Sequence, residues 1–414
     1  MARTSKSTTK DTAAVASKTQ VQTPEVVAKL QAVERDLDSL LIERSEPIRA
    51  TMVAILARQH LVQLGAPGAA KSMLIEQAAK RFTPATGDGL STFVWQMNKF
   101  TKPEELFGPY SIKGLKNDEY RRITTGKAPE AQLMFLDEPF KGTSAILNTL
   151  LLLMNERQFD NGSMHKPDGT LSVARMDCPL ITLMGASNEM PEGADSGAIW
   201  DRFALRLTVS YVSDANFVRM LKMQNVAPMA TMTEAELFEA QKLASNLPIP
   251  DSLYNALGQL RKDLAAKGII ASDRRWKWMP GILQAHALLD GKMSVDEDDL
   301  IMLKHAMWSK PEEEKEIGRI AARLANPINA KAVELADQAN GIFDSYTSVS
   351  RGAAAETVMN AALEAITKLK KINEEMDKLV EHAQREGRST ARVERSLTQV
   401  RVMRKELGTI LVGA

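Results

Sequence analysis

The chain has 414 residues, of which 44% are apolar and 25% charged, an ordinary composition for a globular protein of two or three domains. Its net charge of +1 gives no general attraction to nucleic acid or to a membrane surface. A single cysteine, Cys178, and five histidines exclude an intrachain disulfide and leave no zinc-binding cluster. This composition fits a reducing, cytoplasmic compartment. No apolar run approaches the roughly 20 residues of a membrane-spanning helix.

The first half of the chain alternates between predicted helices and strands. Residues 1–22 lack an apolar period, which predicts a disordered tail, with a transit peptide as the less favoured alternative. A helical pattern then covers residues 24–57. The alternation predicts a parallel α/β sheet in a domain of residues 23–212. The five predicted strands are His60–Leu64, Thr92–Met97, Gln132–Asp137, Leu180–Ala186 and Ala204–Ser210.

Strand patterns stop after residue 212, and two helical regions follow. Residues 213–310 predict an all-helical second domain, and residues 311–414 predict long helices with breaks near 326–327, 345–352 and 387. Within the last region two amphipathic stripes predict a helical hairpin. This hairpin either packs on the second domain or forms an arm that docks a partner. The stripes consist of Leu363, Ile366, Leu369, Ile372, Met376 and Leu379, and of Val393, Leu397, Val400, Leu407 and Ile410.

A glycine-containing loop lies between the first strand and the helix that follows it. Such a loop presents backbone N–H groups to phosphate oxygens at the positive end of a helix. Lys71 would reach the β- and γ-phosphates, and Ser72 would bind Mg²⁺. Position 70 carries alanine where glycine is usual, and because alanine has a Cβ atom we expect a negative φ there. The predicted nucleotide-binding residues are Gly65, Ala66, Pro67, Gly68, Ala69, Ala70, Lys71, Ser72 and Met73.

The third predicted strand ends in two adjacent acids, Asp137 and Glu138. Two carboxylates delivered by a buried strand are costly without a cation. We therefore expect Asp137 to act on Mg²⁺ through water and Glu138 to orient and deprotonate an attacking water molecule. Glu189 is the next candidate for this base.

Two further side chains follow later strands. Asn188 comes after the strand that ends at Ala186, and an uncharged amide beside the γ-phosphate can hold the lytic water. Arg202 precedes the last strand, where a guanidinium could reach the nucleotide of a neighbouring subunit and stabilise transition-state charge. Arg157 is the alternative for this role.

These four motifs, in this order and spacing, resemble the AAA+ superfamily. The segments between them resemble its MoxR branch and, within that branch, the RavA subgroup. The resemblance covers residues 25–308 and predicts a P-loop core with a five-stranded parallel sheet, an all-helical lid and a C-terminal helical extension. It rests on Glu43-Arg44-Ser45, Lys102-Pro103-Glu104-Glu105-Leu106-Phe107-Gly108-Pro109, Asn155-Glu156-Arg157, Ala186-Ser187-Asn188-Glu189-Met190-Pro191-Glu192 and Ser272-Asp273-Arg274-Arg275-Trp276-Lys277.

The resemblance also implies a mode of action. It implies a homo-oligomeric ring, most often a hexamer, that uses ATP and Mg²⁺, with Asn188 as sensor 1 and Arg202 as the arginine finger. Arg274 would be the sensor 2 arginine that contacts the γ-phosphate of its own chain, with Arg275 as the substitute. Insertions are expected at residues 108–127 and, as a hairpin, at 159–178.

The expected function is ATP-driven remodelling of a protein client, together with a von Willebrand factor A (vWA) domain partner. RavA-like proteins insert a small β-rich domain among their terminal helices, and no strand pattern follows residue 310 in this sequence. Two alternatives stay open. One is an ATP-switched scaffold with little turnover, and the other is a nucleic-acid motor that uses the arginine-rich stretch 385–405, although glutamates are interleaved there.

Overall fold

The computed structural model describes residues 24–412 except 83–86, 88, 167, 223–229, 326, 351–354 and 386–389. The predicted tail therefore lies outside the described residues. The strands are β1 (His60–Leu64), β2 (Thr92–Gln96), β3 (Leu133–Asp137), β4 (Gln158–His165), β5 (Leu171–Asp177), β6 (Thr182–Ser187) and β7 (Phe203–Thr208). The helices are α1 (Glu25–Leu40), α2 (Ser45–Leu56), α3 (Lys71–Arg81), α4 (Pro103–Phe107), α5 (Ile112–Leu115), α6 (Ser144–Glu156), α7 (Ala194–Trp200), α8 (Asp214–Leu221), α9 (Glu234–Ser245), α10 (Asp251–Ala266), α11 (Asp273–Leu289), α12 (Leu303–Ala306), α13 (Glu314–Ala325), α14 (Pro327–Ser350), α15 (Ala355–Arg385) and α16 (Ala391–Val412).

Five strands form one parallel sheet in the order β2-β3-β6-β1-β7, which confirms the predicted fold class. The central strands are apolar and buried on both faces, as parallel strands covered by helices must be. The sequence located all five strands, although their ends shift by up to two residues. Because the strands are parallel, β1, β3 and β6 deliver the residues that follow them to one edge of the sheet, which we call the carboxyl edge. The residues that precede the strands lie at the amino edge.

The helices of the lid pack on the α/β core without a break. One cluster of buried apolar side chains runs from Val26 in α1 to Ala321 in α13 and includes the sheet. Arg206 of β7 strengthens this junction, because its guanidinium is fully buried and donates to the carbonyl oxygens of Ala306 at 3.1 Å and Trp308 at 3.0 Å. The segment around Trp308 is thus held directly against β7.

The two expected insertions contact each other. β4 and β5 form an antiparallel hairpin, as predicted for residues 159–178. The other insertion adds a short bridge in which Tyr120 pairs with Ser163 of β4. The Asn161 side-chain oxygen also accepts a hydrogen bond from the backbone N–H of Arg122 at 2.7 Å.

The C-terminal region is a bundle of three helices, so the predicted hairpin of two is incomplete. Leu369 and Met376 of α15 pack with Val400 of α16, and the third wall is α14, which contributes Leu335 and Tyr346. The prediction named the stripes of α15 and α16 but gave α14, which ends at Ser350 within the predicted break at 345–352, no part in their packing. Most members of the two stripes pack against each other and α14, in clusters separate from the one that includes the lid. Leu363 is 58% exposed, and the Ile410 side chain lies outside the described residues. In the part of the chain that is described, no helix has the length and apolarity needed to cross a membrane.

Candidate functional site

The predicted phosphate loop connects β1 to α3 at the carboxyl edge. Gly65 donates its N–H to the Ser187 carbonyl at 3.1 Å, and a Cβ atom there would lie 2.1 Å from the Val209 carbonyl oxygen, so only glycine fits. Ser72 lies half-buried on the first turn of α3. Met73 packs against the hydrophobic core.

The expectation for Ala70 is wrong. Its φ is +63° and its ψ is +22°, in the left-handed region. A side chain with a Cβ atom adopts this conformation at a cost of about 1–2 kcal/mol. The loop needs it because alternation of right- and left-handed residues turns successive N–H groups toward one point, forming an anion-binding nest. The geometry of the nest therefore overrides the local preference of alanine.

Lys71 is buried and extends along the loop. Its ammonium group donates to the carbonyl oxygens of Gly65 at 2.6 Å and Ala66 at 2.9 Å, and to the Oδ1 atom of Asn188 at 2.8 Å. Burial lowers the pKa of this ammonium, while the charges of Glu138 and Asp137 oppose that shift. The structure thus brings the predicted cation, both acids and the predicted sensor amide into one cluster.

The two acids differ in their surroundings. Asp137 is half-buried, and burial together with the charge of Glu138 raises the pKa of its carboxyl group, against the opposing effect of Lys71. Glu138 is buried and adopts a left-handed backbone with φ +54°, a conformation that is uncommon outside glycine and clusters at functional sites. Its carboxylate accepts hydrogen bonds from the Ser187 hydroxyl and the Asn188 backbone N–H, both at 3.2 Å. These bonds fix the carboxylate beside the loop.

Arg202 lies at the opposite edge of the sheet. In the pairing of β1 with β7, His60 is opposite Phe203, whereas Leu64 is opposite Thr208. Arg202 is therefore level with the beginning of β1 and the loop with its end, separated by the length of a five-residue strand, roughly 16 Å. Arg202 donates to the Ala198 carbonyl at 2.7 Å, and its buried Nε has no hydrogen-bond partner among the described residues. The side chain cannot reach the phosphate loop of its own chain.

Both lid arginines bind at this same edge. Arg274 donates to Asp201 at 3.1 Å and is 41% exposed, and Arg275 donates to Asp201 at 2.9 Å but is only 5% exposed. Arg275 also contacts the Trp308 carbonyl and the Ser309 hydroxyl, each at 3.2 Å. The expected contact of Arg274 with the phosphates of its own chain is thus not the arrangement found here, because the beginning of α11 packs on Asp201 at the amino edge. The buried guanidinium of Arg275 therefore joins the lid to the core.

The two alternative residues have other surroundings. Arg157 donates to the carbonyl oxygens of Arg58 at 2.9 Å and Ile181 at 3.4 Å, and burial lowers its pKa to about 10. Its guanidinium is therefore held by backbone groups of its own chain. Glu189 has an exposed side chain, and its backbone bonds to the Ser187 hydroxyl.

Sequence reasoning assigned no role to two residues that contact the loop. The Tyr211 hydroxyl donates to the Pro67 carbonyl at 3.0 Å, and Arg44 donates to the Ala69 carbonyl at 3.1 Å. Arg44 belongs to a segment that contributed to the resemblance, and this was the only available signal. Tyr211 had none, since a single tyrosine after a strand has no distinctive spacing.

The sheet order, the phosphate loop and the acidic pair at the carboxyl edge define an AAA+ ATPase. A sequence model described as the MoxR domain in MoxR-vWA-beta-propeller ternary systems matches residues 28–246, and an AAA lid domain model matches residues 252–321. The chain belongs to the MoxR family of AAA+ ATPases. Its placement in the RavA subgroup stays a prediction, as do the domain boundaries.

Similar proteins span most of the chain. Two uncharacterized proteins of Methanocaldococcus jannaschii are 32% and 34% identical, over 86% and 78% of this chain and 90% and 83% of their own lengths. A structural protein of Acidianus two-tailed virus is 27% identical over 50% of this chain and 31% of its own length. A crystal structure of a presumed ATPase from Cytophaga hutchinsonii covers 72% of this chain and 94% of its own, with a TM-score of 0.54 and 16% identity. This last likeness concerns the fold alone.

Proposed function

We propose that the protein hydrolyses ATP in a ring of identical subunits and uses the energy to remodel a protein partner. The observation that carries this proposal is the separation of Lys71 and Glu138 from Arg202, at opposite edges of one sheet. Because a single chain holds both halves of the site and cannot join them, the site is completed by a second copy. Head-to-tail contacts of this kind close into rings.

At the carboxyl edge each side chain has a task that its surroundings support. When nucleotide binds, the Lys71 ammonium would exchange its hydrogen bonds to the loop carbonyls and Asn188 for hydrogen bonds to phosphate oxygens. Glu138 would act as general base, since its carboxylate is held by the Ser187 hydroxyl and the Asn188 N–H. Asn188 would position the attacking water beside the phosphate that Lys71 binds.

The residues present fit a Mg²⁺ ion. Mg²⁺ prefers hard oxygen ligands, and the site offers the Ser72 hydroxyl and the Asp137 carboxylate. Burial and the adjacent Glu138 raise the pKa of Asp137, so a cation there would relieve a repulsion that already exists between two carboxylates. Bound Mg²⁺ would neutralise charge that develops on the phosphate oxygens.

At the amino edge Arg202 and Arg274 would act on the nucleotide of the neighbouring subunit. Their charges lie close enough for Arg274 to lower the pKa of Arg202, after the larger effect of burial, while Asp201 raises it. Such an excess of positive charge suits a surface that meets phosphates of a second chain. Arg274 would therefore act in trans, beside the arginine finger.

A vWA domain protein is the partner best supported by the family, because the matching model describes MoxR domains of MoxR-vWA-beta-propeller systems. The basic C-terminal stretch gives little support to a nucleic-acid motor. Of its arginines, Arg385 lies 3.4 Å from Glu381 and Arg401 lies 2.9 Å from Asp377, so acids offset part of its charge. Arg388 lies outside the described residues.

Glu138→Gln tests hydrolysis directly. The variant should still bind MgATP but release phosphate at least ~100-fold more slowly, the usual scale for removal of a general base. Glu189→Gln is the matched control, and its turnover should stay near that of the wild type. Near-normal phosphate release by Glu138→Gln would move the base elsewhere. Wild-type protein that binds MgATP without releasing phosphate would favour the ATP-switched scaffold.

A further inference from the structure

Arg44 lies where α2 begins and is 5% exposed. Its guanidinium donates to three carbonyl oxygens, those of Glu43 at 2.8 Å, Ala69 at 3.1 Å and Ser210 at 2.7 Å. Ala69 belongs to the phosphate loop, and Ser210 follows β7. One side chain thus joins three segments that are far apart in sequence.

The surroundings of this guanidinium are unusual for a buried charge. Within the described part of the chain no carboxylate forms an ion pair with Arg44, and its buried Nε has no hydrogen-bond partner. Burial lowers the pKa of Arg44, and the nearby charge of Glu43 opposes this only in part. A buried cation bound mainly to backbone carbonyls is a weak source of stability, which favours a role in holding those carbonyls.

The Ala69 carbonyl belongs to the same planar unit as the Ala70 N–H. In a trans peptide the C=O and N–H bonds point in opposite directions. Because Arg44 binds the carbonyl, the N–H of Ala70 points away from Arg44. The same peptide leads into Ala70, whose left-handed φ of +63° is unfavourable for alanine.

We propose that Arg44 is a positioning residue for the phosphate loop: by holding the Ala69 carbonyl it turns the Ala70 N–H toward bound phosphate and keeps Ala70 left-handed. The inference rests on the proposed nucleotide site. Glycine at position 70 would adopt this conformation without help. In this chain, where residue 70 is alanine, the hydrogen bond from Arg44 to the Ala69 carbonyl stabilises the left-handed conformation instead.

Arg44 is itself anchored at the segment that leads into the lid. The Glu43 carboxylate accepts hydrogen bonds from the Ser213 backbone N–H at 2.8 Å and from the Asn216 side chain at 2.7 Å. Tyr211, from the same segment, binds the loop at Pro67. The loop is therefore held from outside by residues of the segment that connects β7 to the lid.

The test measures MgADP affinity by calorimetry on the full chain, for Arg44→Met, Ala70→Gly and the double variant. Arg44→Met should weaken binding by about 10- to 100-fold, the range for losing a hydrogen bond from a charged donor. Ala70→Gly alone should change affinity little. In the double variant glycine should recover most of the lost affinity, because the left-handed loop no longer needs to be held.

A merely structural role for Arg44 predicts a different result, since glycine at position 70 cannot repair a packing defect around α2. Loss of affinity without recovery by Ala70→Gly would overturn the proposal, as would wild-type affinity in Arg44→Met. Arg81→Met is the matched control, because Arg81 is also buried but pairs with Asp36 at the far end of α3. It should bind MgADP normally once folded.

Two further variants keep the outcomes distinct. If Arg44→Met does not fold, Arg44→Lys replaces it, since a compact ammonium lacks the planar fork that spreads the donors of arginine over separate carbonyls, and the same recovery by Ala70→Gly is expected. Lys71→Ala separates the inference from the proposed function. If Lys71→Ala abolishes MgADP binding while the Arg44 variants bind normally, only the inference fails. If the wild type does not bind MgADP, both fail.

Discussion

The two edges of the central sheet carry different chemistry built in different ways. At the carboxyl edge Lys71, Asp137 and Glu138 are all placed by strands of the sheet, Lys71 by the loop after β1 and the two acids by the end of β3. At the amino edge Arg202 precedes β7, while Arg274 and Arg275 come from the lid and meet it through Asp201. One edge is thus built by the α/β core alone, and the other is completed only when the lid docks.

This difference explains why neither edge is a complete catalytic site. On the proposed roles the carboxyl edge would bind phosphates and supply a base, but no arginine of the amino edge reaches it within one chain. The amino edge offers guanidinium groups with few acidic partners. The amino edge of one chain complements the carboxyl edge of the next when identical chains associate head to tail, so activity should depend on contact between subunits.

The largest expected effect is at the carboxyl edge. Lys71→Ala should abolish detectable MgATP binding and hydrolysis, because the loop contains no other cation and the variant removes the charge within the loop that opposes those of Asp137 and Glu138. Binding of a fluorescent ATP analogue measures this. Lys80→Ala is the matched control, since Lys80 is exposed on the same helix. Tight binding by Lys71→Ala would contradict the assignment of the loop.

The next effect joins the two edges. Arg202→Ala should bind ATP and be inactive alone, yet recover some activity when mixed with the inactive Glu138→Gln protein. In mixed rings some boundaries pair an intact base with an intact arginine, and phosphate release reports them. A titration of one variant into the other without any recovery would argue that Arg202 acts within its own chain or has a structural role.

Smaller effects distinguish the two lid arginines. Arg275→Gln should destabilise the core and lid by about 1–3 kcal/mol, because the Trp308 carbonyl oxygen and Asp201 lose a buried charged donor. Asp201 keeps its hydrogen bonds from Ser272 and Arg274. Arg274→Gln should cost only about 0–1 kcal/mol, the usual value for an exposed ion pair, while slowing hydrolysis. Denaturant unfolding followed by tryptophan fluorescence measures both. Equal destabilisation by the two changes would remove the distinction.

The sequence predicted the carboxyl edge well for a physical reason. Phosphate binding requires fixed spacing between a strand, a loop and a helix, so residues 65–72 and the pair Asp137-Glu138 are recognisable without a fold. The conformation of Ala70 was mispredicted because local preference favours negative φ, whereas the nest requires the opposite. The roles of the remaining site residues depend on how the lid packs on the sheet, which the sequence does not show. The resemblance assigned Arg274 to the nucleotide of its own chain, and no sequence pattern shows that the beginning of α11 packs on Asp201.

The C-terminal helices show the same limit at the level of packing. The apolar period located the stripes of α15 and α16, and Leu369, Met376, Leu397 and Val400 are buried as that pattern requires. It did not identify α14 as their third partner. Truncation from residue 353 would therefore uncover the buried side of α14, so a test of partner docking should remove all three helices together. The docking role itself stays a prediction.

The last predicted effect concerns acid stability at the amino edge. His60 begins β1 and is 3% exposed, and burial, assisted by the charge of Arg157, lowers its pKa to about 3. In the unfolded chain its pKa is about 6.5. The unfolded state therefore binds the proton first, and the stability that neutral His60 contributes is complete above pH 6.5 and lost as the pH falls toward 3. At pH 5 the loss should be about 2 kcal/mol.

Tryptophan fluorescence can measure this loss in the core and lid alone, because all five tryptophans precede the C-terminal bundle. They are Trp95, Trp200, Trp276, Trp278 and Trp308. Thermal unfolding at pH 7.5 and pH 5.0 should show a larger drop in midpoint for the wild type than for His60→Gln, which keeps a donor and an acceptor but cannot titrate. The comparison uses the change with pH, so a uniform loss of stability in the variant does not affect it. An equal drop in both proteins would show that His60 is not the group whose protonation weakens the amino edge.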